Sequence, residues 1–385
     1  MPDTIPNLTG LDARNGPGAV VKATAMKLGL VRRGYSGTGG AEAYLRRFAD
    51  AARAAGHEVV LFGSPEWEAA AWQGGKVIVP GGNPRAFADM LRKIQPRTRC
   101  DFLFSLERVW ECDAYRAGDG VHASWLERRG KYEARWKSML RGINPKHTGL
   151  LEIERALFTG GTRCVIANSQ MVKDEIITRY GMSAENIHVI RNGVPAWEDE
   201  PGLRGRMRTE LGVDGCDYVL LFAGTGWVRK GLGFAIKAVN ELPGATLLVA
   251  GKGRREKMPA SDRVRYLGPV SPRNMREMLA AADVFVLPTI YEPFSNACLE
   301  ALAAGLPVVT TKANGFAEII EPGVEGEVIA EPGDIAALRD ALAAWADPGK
   351  REAVRSRLRE KGSQYSVEAN ARRTIEVIER EAGQG

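Results

Sequence analysis

Tyr291-Glu292-Pro293-Phe294-Ser295-Asn296-Ala297-Cys298-Leu299-Glu300 lies between an apolar run, Asp283-Val284-Phe285-Val286-Leu287-Pro288, and an alanine-rich segment that ends at Gly305. The order is that of a buried strand, a loop and a helix. From Asn296 to Ala304 the helix is apolar almost all the way round, which predicts deep packing, yet Glu300 lies on it and Glu292 precedes it in the loop. Carboxylates in such surroundings need hydrogen-bonded partners. The peptide N–H groups of Phe294, Ser295 and Asn296 stand at the helix start, where the macrodipole adds roughly half a positive charge, and are expected to face a phosphate. Two acceptors for hydroxyls beside a phosphate cradle describe a nucleotide-sugar pocket.

The chain has 385 residues, more than one hydrophobic core usually serves, so two domains are expected. With 44% hydrophobic and 26% charged residues its composition is that of a soluble globular protein, and no apolar run reaches the roughly 18 residues that cross a bilayer. Residues 1–19, rich in Pro, Gly, Asn and Asp, lack the basic start and apolar centre of a signal peptide and read as a loose extension. Cys100, Cys112, Cys164, Cys216 and Cys298 show no Cys-x-x-Cys spacing, and His57, His122, His147 and His188 are scattered. Neither a metal site nor a disulfide framework is therefore expected, which suits a reducing cytoplasm. A net charge of +6 and a pI near 9.0 fit an anionic substrate, anionic lipid or nucleic acid equally.

Alternation organises the rest of the chain. Leu28-Gly29-Leu30-Val31 reads as a strand, residues 33–40 as a glycine-rich loop, 41–55 as an amphipathic helix and 56–62 as the next strand. Glu42 stands where a dinucleotide fingerprint needs its third glycine, and no Gly-Lys-Ser/Thr follows. Gly39 and Gly40 thus make either a tight turn or a loop that approaches a ligand. Residues 77–80 and 101–106 are further strands around a helix over 84–94. Residues 112–120 read as a polar loop at a strand's carboxyl end, where parallel sheets place ligands; Asp113 and Asp119 there are candidates for an acceptor hydroxyl, or for capping a helix or turn. A helix over 122–142 interleaves Arg128, Arg129, Lys131, Arg135, Lys137 and Arg141 with Trp125, Tyr132 and Trp136. It is either a solvated basic face or a contact for anionic headgroups, each cation near the surface contributing about 1 kcal/mol. No nucleic-acid motif accompanies it, and no nucleic-acid partner is expected.

Residues 164–173 and 188–194 complete a first domain over 20–195, after which Pro, Gly, Arg and acidic residues replace apolar runs across 195–215, as in a linker. The second domain, 196–364, opens with Tyr218-Val219-Leu220-Leu221-Phe222-Ala223-Gly224 and Thr225-Gly226-Trp227-Val228-Arg229-Lys230-Gly231, then a helix. Strands over 246–251, 264–268, 308–310 and 326–329 with a helix over 275–282 imply a second parallel sheet, and a long helical tail follows Asp334.

Glu292-x7-Glu300, followed by Ala304-Gly305-Leu306-Pro307-Val308-Val309-Thr310-Thr311 and Asn314-Gly315-Phe316-Ala317-Glu318, resembles the donor-site signature of the retaining glycosyltransferases of family 4. The resemblance covers about residues 27–381. It implies the GT-B fold, an α/β architecture of two Rossmann-like domains facing each other across a cleft. The first would bind the acceptor, completed by a C-terminal helix within 365–385, and the second would bind the donor. It further implies that Glu300 binds the donor ribose, that Glu292 approaches the transferred sugar or its phosphate, and that Gly39 and Gly40 close over sugar and diphosphate. Cys112-Asp113-Ala114-Tyr115-Arg116-Ala117-Gly118-Asp119, Leu151-Glu152-Ile153-Glu154-Arg155-Ala156-Leu157-Phe158, Trp227-Val228-Arg229-Lys230-Gly231 and Leu279-Ala280-Ala281-Ala282-Asp283 are similar to stretches of family members that add glucose to the inner-core heptose of lipopolysaccharide. That implies UDP-glucose as donor, a saccharide or glycolipid acceptor and a cytoplasmic place at the inner face of the cell membrane.

Breaking a sugar–diphosphate bond leaves a highly charged group while positive charge grows on the sugar ring, so fixed positive charge must line the cleft. Arg229 and Lys230 lie in a glycine-rich strand-to-helix loop, with Gly224 and Gly251 ending the neighbouring strands, and by resemblance they grip the diphosphate. No Asp-x-Asp occurs, so these cations and helix dipoles are expected to serve in place of a metal, with no cofactor beside the donor. Retention, implied by the family, is consistent with attack by the acceptor hydroxyl on the face the diphosphate leaves, Asp119 orienting it; a double displacement through a carboxylate stays open. Four alternatives compete: a GDP-mannose-dependent transferase of the same family, a GT-B sugar-nucleotide epimerase, a phosphorylase with lysine-bound pyridoxal phosphate, and a nonenzymatic basic membrane or RNA binder.

Overall fold

A computed structural model describes residues 25–35, 40–67, 72–133, 144–213 and 217–383. The N-terminal extension, Gly39, Cys216 and the 134–142 portion of the expected basic helix lie outside them.

Short runs of Leu, Val, Phe and Ile that carry almost no polar side chain can satisfy their backbone only in a ladder and must be covered on both faces, as parallel strands are. Seven strands, most of them such runs, build the first sheet: β1 (Lys27–Arg32), β2 (Glu58–Gly63), β3 (Gly75–Ile78), β4 (Phe102–Ser105), β5 (Cys112–Ala117), β6 (Thr162–Ala167) and β7 (Ile187–Val189). Its order is β3-β2-β1-β4-β5-β6-β7, with parallel pairing throughout. Helices α1 (Gly40–Ala54), α2 (Pro84–Lys93), α3 (His122–Gly130), α4 (Pro145–Ala156) and α5 (Gln170–Tyr180) lie in its connections. The second sheet holds β8 (Tyr218–Ala223), β9 (Ala245–Ala250), β10 (Val264–Gly268), β11 (Val284–Leu287), β12 (Val308–Thr311) and β13 (Gly326–Ile329) in the order β10-β9-β8-β11-β12-β13, again parallel. With it go α6 (Leu203–Glu210), α7 (Leu232–Asn240), α8 (Pro272–Ala281), α9 (Asn296–Ala303), α10 (Ile335–Ala343) and α11 (Pro348–Ser363). Both halves are Rossmann-like α/β layers.

Strand order reverses between β1 and β4 in the first sheet and between β8 and β11 in the second, and in open sheets a crevice opens beyond the carboxyl ends of such strands. The loops Gly224 to Gly231 and Pro288 to Ser295 leave the second switch point, and Glu107 and Arg108 leave the first. Residues 112–120, expected as a loop, are instead mostly strand β5. Asp113 made the stretch look polar, but it is 2% exposed and spent at the strand's start: it accepts the Leu103 N–H at 2.8 Å and pairs with Arg163 at 2.8 Å and Arg97 at 3.0 Å. It is not an acceptor contact. The expected linker likewise contains α6, whose Leu203 and Met207 enter the second core while Arg204 and Arg208 reach Asp283. The basic helix expected over 122–142 ends at Gly130 within the described residues.

The last helix, α12 (Val367–Ala382), packs on α1. Its Ile375, Val377 and Ile378 join Leu45 and Phe48 in the first core, and Glu379 meets the buried His57 ring at 3.0 Å. The chain crosses between the halves twice at one place, where the Val194 N–H donates to the Tyr365 carbonyl at 3.0 Å.

Candidate active site

The Gly224–Gly231 loop can fold tightly because of two glycines. At Gly231 φ is +79° and a Cβ would collide with the Pro288 carbonyl; at Gly251 φ is +121° and a Cβ would strike the Gly224 carbonyl. Strand-end glycines thus let two backbones touch. Gly224 itself (φ +139°) leaves room for the Lys230 methylenes at about 2.8 Å from where its Cβ would stand. The Arg229 carbonyl accepts the Ile290 N–H at 2.8 Å and the Thr289 hydroxyl at 2.9 Å, and its guanidinium donates to the Tyr291 carbonyl at 3.1 Å. That lattice holds both cations over the loop after β11. There Lys230 Nζ is 2.9 Å and Arg229 Nη1 3.2 Å from Glu292 Oε2. Burial would raise the Glu292 carboxyl, but Lys230 and then Arg229 outweigh it and hold it below the ordinary carboxylate value. An ionised carboxylate with two cations on one oxygen is left beside a cleft.

Helix α9 is capped by Ser295, whose hydroxyl accepts the Cys298 N–H at 3.2 Å. The Ser295 N–H, expected to be free for a phosphate, instead donates to Asn314 Oδ1 at 3.2 Å, and Asn314 also accepts from Phe316 N–H at 3.1 Å. A buried asparagine one loop away thus takes that donor. Phe294 is 4% exposed and packs edge-on against Phe316 at 6.0 Å, so its ring belongs to the core. Asn296 accepts from Asn192 of the first half at 2.7 Å, and Asn192 in turn accepts from Arg116 at 2.7 Å. Burial pushes the Glu300 carboxyl up to about 7, against the pull of Arg47 on α1 and of Lys230. Above Gly40, which opens α1, nothing lies within 4 Å of an added Cβ.

Across the cleft Asp119 is exposed just beyond β5. With Arg108, His122 and Trp125 it lines a pocket of about 240 Å³ whose other wall is Arg229, Tyr291, Glu292 and Pro293. Asp119, Arg229 and Glu292, far apart in sequence, are therefore brought together; Lys230 and Glu300 do not line that pocket. Several residues of the site were missed by sequence reasoning. Glu154 is fully buried and gathers the His122 N–H at 2.6 Å, the Ala123 N–H at 3.0 Å, Arg108 Nε at 2.9 Å and the Tyr180 hydroxyl at 2.7 Å. It caps α3 from outside, and its signal was a carboxylate inside the apolar run Leu150-Leu151-Glu152-Ile153-Glu154. His122, pushed down to about 4 by burial and by Arg108, is neutral at pH 7 and lies 3.1 Å from His147. Of the basic segment, Arg128 faces the Tyr291 ring and Glu175 while Arg129 stacks on Trp125 and pairs with Glu133 at 2.5 Å. Lys131 is exposed. Among the described residues no helix is long and apolar enough to cross a membrane, and no three His, Cys, Asp or Glu are grouped to hold a metal ion.

A profile of the family described as Glycosyltransferase Family 4 matches residues 38–197, and one described as Glycosyl transferases group 1 matches residues 217–347. An uncharacterized glycosyltransferase of Methanocaldococcus jannaschii is 32% identical over 177 residues, 42% of this chain and 45% of that protein. The match thus spans less than half of that relative. A D-inositol 3-phosphate glycosyltransferase of an Arthrobacter species is 28% identical over 371 residues, 83% of this chain and 86% of the other. Among solved structures, WaaG, a glycosyltransferase involved in lipopolysaccharide biosynthesis, has a TM-score of 0.77 at 22% identity over 91% of this chain and 99% of its own. Anabaena HepE in complex with UDP-glucose has a TM-score of 0.69 at 21% identity over the same shares. At these identities the likeness is one of fold. With each half matched by a glycosyltransferase profile and 91% of the chain superposing on such a neighbour, the chain belongs to the glycosyltransferases, family 4 in its first half and group 1 in its second, on the GT-B fold.

Proposed function

We propose that the protein is a retaining hexosyltransferase that moves glucose from UDP-glucose to a saccharide or glycolipid acceptor such as the inner-core heptose of lipopolysaccharide. The observation that carries this is the convergence of Arg229 and Lys230 on Glu292 at the second switch point, facing Asp119 across a pocket. The two cations would meet the diphosphate, neutralising charge as the bond to the sugar lengthens, and the ionised Glu292 would keep both in place. Glu300 would take the ribose hydroxyls. The backbone at Gly40 has open space for the donor's sugar end. Asp119 would orient the acceptor hydroxyl, whose proton passes to a departing phosphate oxygen as the new bond forms on the face the leaving group vacates. The cations supply the charge a metal would otherwise bring, so transfer should persist in chelator. The donor assignment is supported by a fold neighbour solved with UDP-glucose, and the acceptor by one involved in lipopolysaccharide biosynthesis.

The enzyme would act on the cytoplasmic face of the membrane, held there by cations of residues 122–142; of the described ones only those not turned to protein partners, such as Lys131, would serve. The test is transfer of radiolabel from UDP-glucose, GDP-mannose and other nucleotide sugars to a lipid extract, with EDTA present. UDP-glucose is expected to label the lipid fraction. Label from GDP-mannose alone would overturn the donor assignment.

A further inference from the structure

Besides the Asn192–Asn296 bond, two polar contacts join the halves beside the site, and both end on loops that carry it. Tyr291, next to Glu292, is 1% exposed, and its hydroxyl lies in the first half: it accepts the Val121 N–H at 2.8 Å and donates to Glu175 Oε2 at 2.8 Å. Burial holds that phenol well above its ordinary pKa, so it stays a donor. The approach requires Gly120, which has φ +67° and whose Cβ would collide with the hydroxyl. On the other side Glu318, also from the second half, accepts the Gln170 N–H at 2.9 Å and the Met171 N–H at 2.7 Å and pairs with Arg191 at 3.2 Å. It thereby caps α5, whose own Ser169 hydroxyl accepts only the Val172 N–H, at 3.3 Å. The Glu318 loop is tied to the site as well, since the Gly315 N–H donates to the Glu292 carbonyl at 2.9 Å.

We infer that Tyr291 and Glu318 form a two-point latch that holds the halves closed and, through the Glu292 backbone, fixes the Arg229–Glu292 wall opposite the Asp119–His122 wall. Every bond in it is polar and can be replaced by water when the halves part, unlike the apolar contacts within each core. The latch is therefore a device that opens, and in it the Tyr291 hydroxyl, directed into the first half, and the Glu318 carboxylate act as positioning groups. That closure serves transfer rests on the function proposed above; that the contacts hold the halves together does not.

The test compares wild type with Y291F, E318A and E318Q, all without ligand, by hydrogen exchange on peptides covering 118–125 and 168–173. Thermal unfolding of each variant checks that it is folded. Exchange at Val121 in Y291F, and at Gln170 and Met171 in E318A, is expected to quicken about tenfold or more while strands β1 and β8 stay protected. E318Q, whose amide oxygen still accepts, should recover part of the protection. With UDP-glucose and acceptor, kcat should fall about tenfold or more in Y291F while UDP binding changes by less than about twofold, because a misplaced wall costs turnover rather than nucleotide affinity. Unchanged exchange in both Y291F and E318A would overturn the latch. Quickened exchange with wild-type kcat would overturn its positioning role. A wild type that transfers nothing, with the exchange result intact, would refute the proposed function and leave the latch standing.

Discussion

Lys230 is the cation whose removal should tell most. Its methylenes fit over Gly224 and its ammonium lies 2.9 Å from Glu292, so K230A deletes charge at the place where the leaving group would gather it and leaves Glu292 with Arg229 alone. A loss of about a hundredfold in kcat is expected, with the fold retained by circular dichroism; wild-type turnover would count against the assignment. Glu300 makes a prediction with a sign. Its carboxyl is raised to about 7 from 4.5, so between those values the folded protein holds a proton that the unfolded chain has released. Stability therefore falls as pH rises through that window, and the penalty is complete above it. E300Q should remove it, unfolding later than wild type at pH 8 by of order 1–3 kcal/mol and equally with it near pH 4. A denaturant titration at both pH values reads this, and equal midpoints at pH 8 would contradict it. At this scale the chemistry-bearing residue types were legible, because carboxylates in an apolar helix and adjacent cations in a glycine loop are anomalies a sequence displays. What a side chain touches was not. The Ser295 N–H, Asp113 and Tyr291 all found partners between 10 and 170 residues away.

At the scale of the element, the loops after β8 and β11 owe their shape to backbone contacts that only glycine permits. G231A would force a Cβ onto the Pro288 carbonyl at φ +79°, and neither group can swing aside. The expected outcome is a folded protein whose UDP affinity, by calorimetry, drops at least about tenfold, since the cations would lose their platform; unchanged affinity would mean the loop does not hold the nucleotide. Helix starts tell a parallel story. Strands and helices that alternate with clean apolar runs were read from the sequence, and α9 was among them, though its Ser295 cap was not. β5 was not, because Asp113 and Arg116 disguise a strand that the neighbours β4 and β6 bury. Nor was α6, whose register of Leu203 and Met207 is too short to stand out between Pro, Gly and arginine. In both cases tertiary partners, not local propensity, decide the conformation.

Seen whole, the molecule is two sheets stitched by its own ends. α12 returns from the second half to cover α1, and Ile378 is fully buried between them. I378A should lower stability by about 2–5 kcal/mol, measured by denaturant unfolding; a loss under 1 kcal/mol would show that the helix is only laid on the surface. The two-domain organisation was legible from the lapse in apolar runs and the second strand series. The cleft between the halves came from the family resemblance alone; the pairs that draw it, such as Asn192 with Asn296 and Arg191 with Glu318, are announced by no local pattern. The proposed function depends on that cleft holding an activated sugar by its nucleotide end. The most direct measurement is a crystal structure of the protein with UDP-glucose. The account predicts the diphosphate within hydrogen-bonding distance of Arg229 and Lys230, the ribose on Glu300 and the glucose turned toward Asp119; a nucleotide lodged away from these four residues would contradict it.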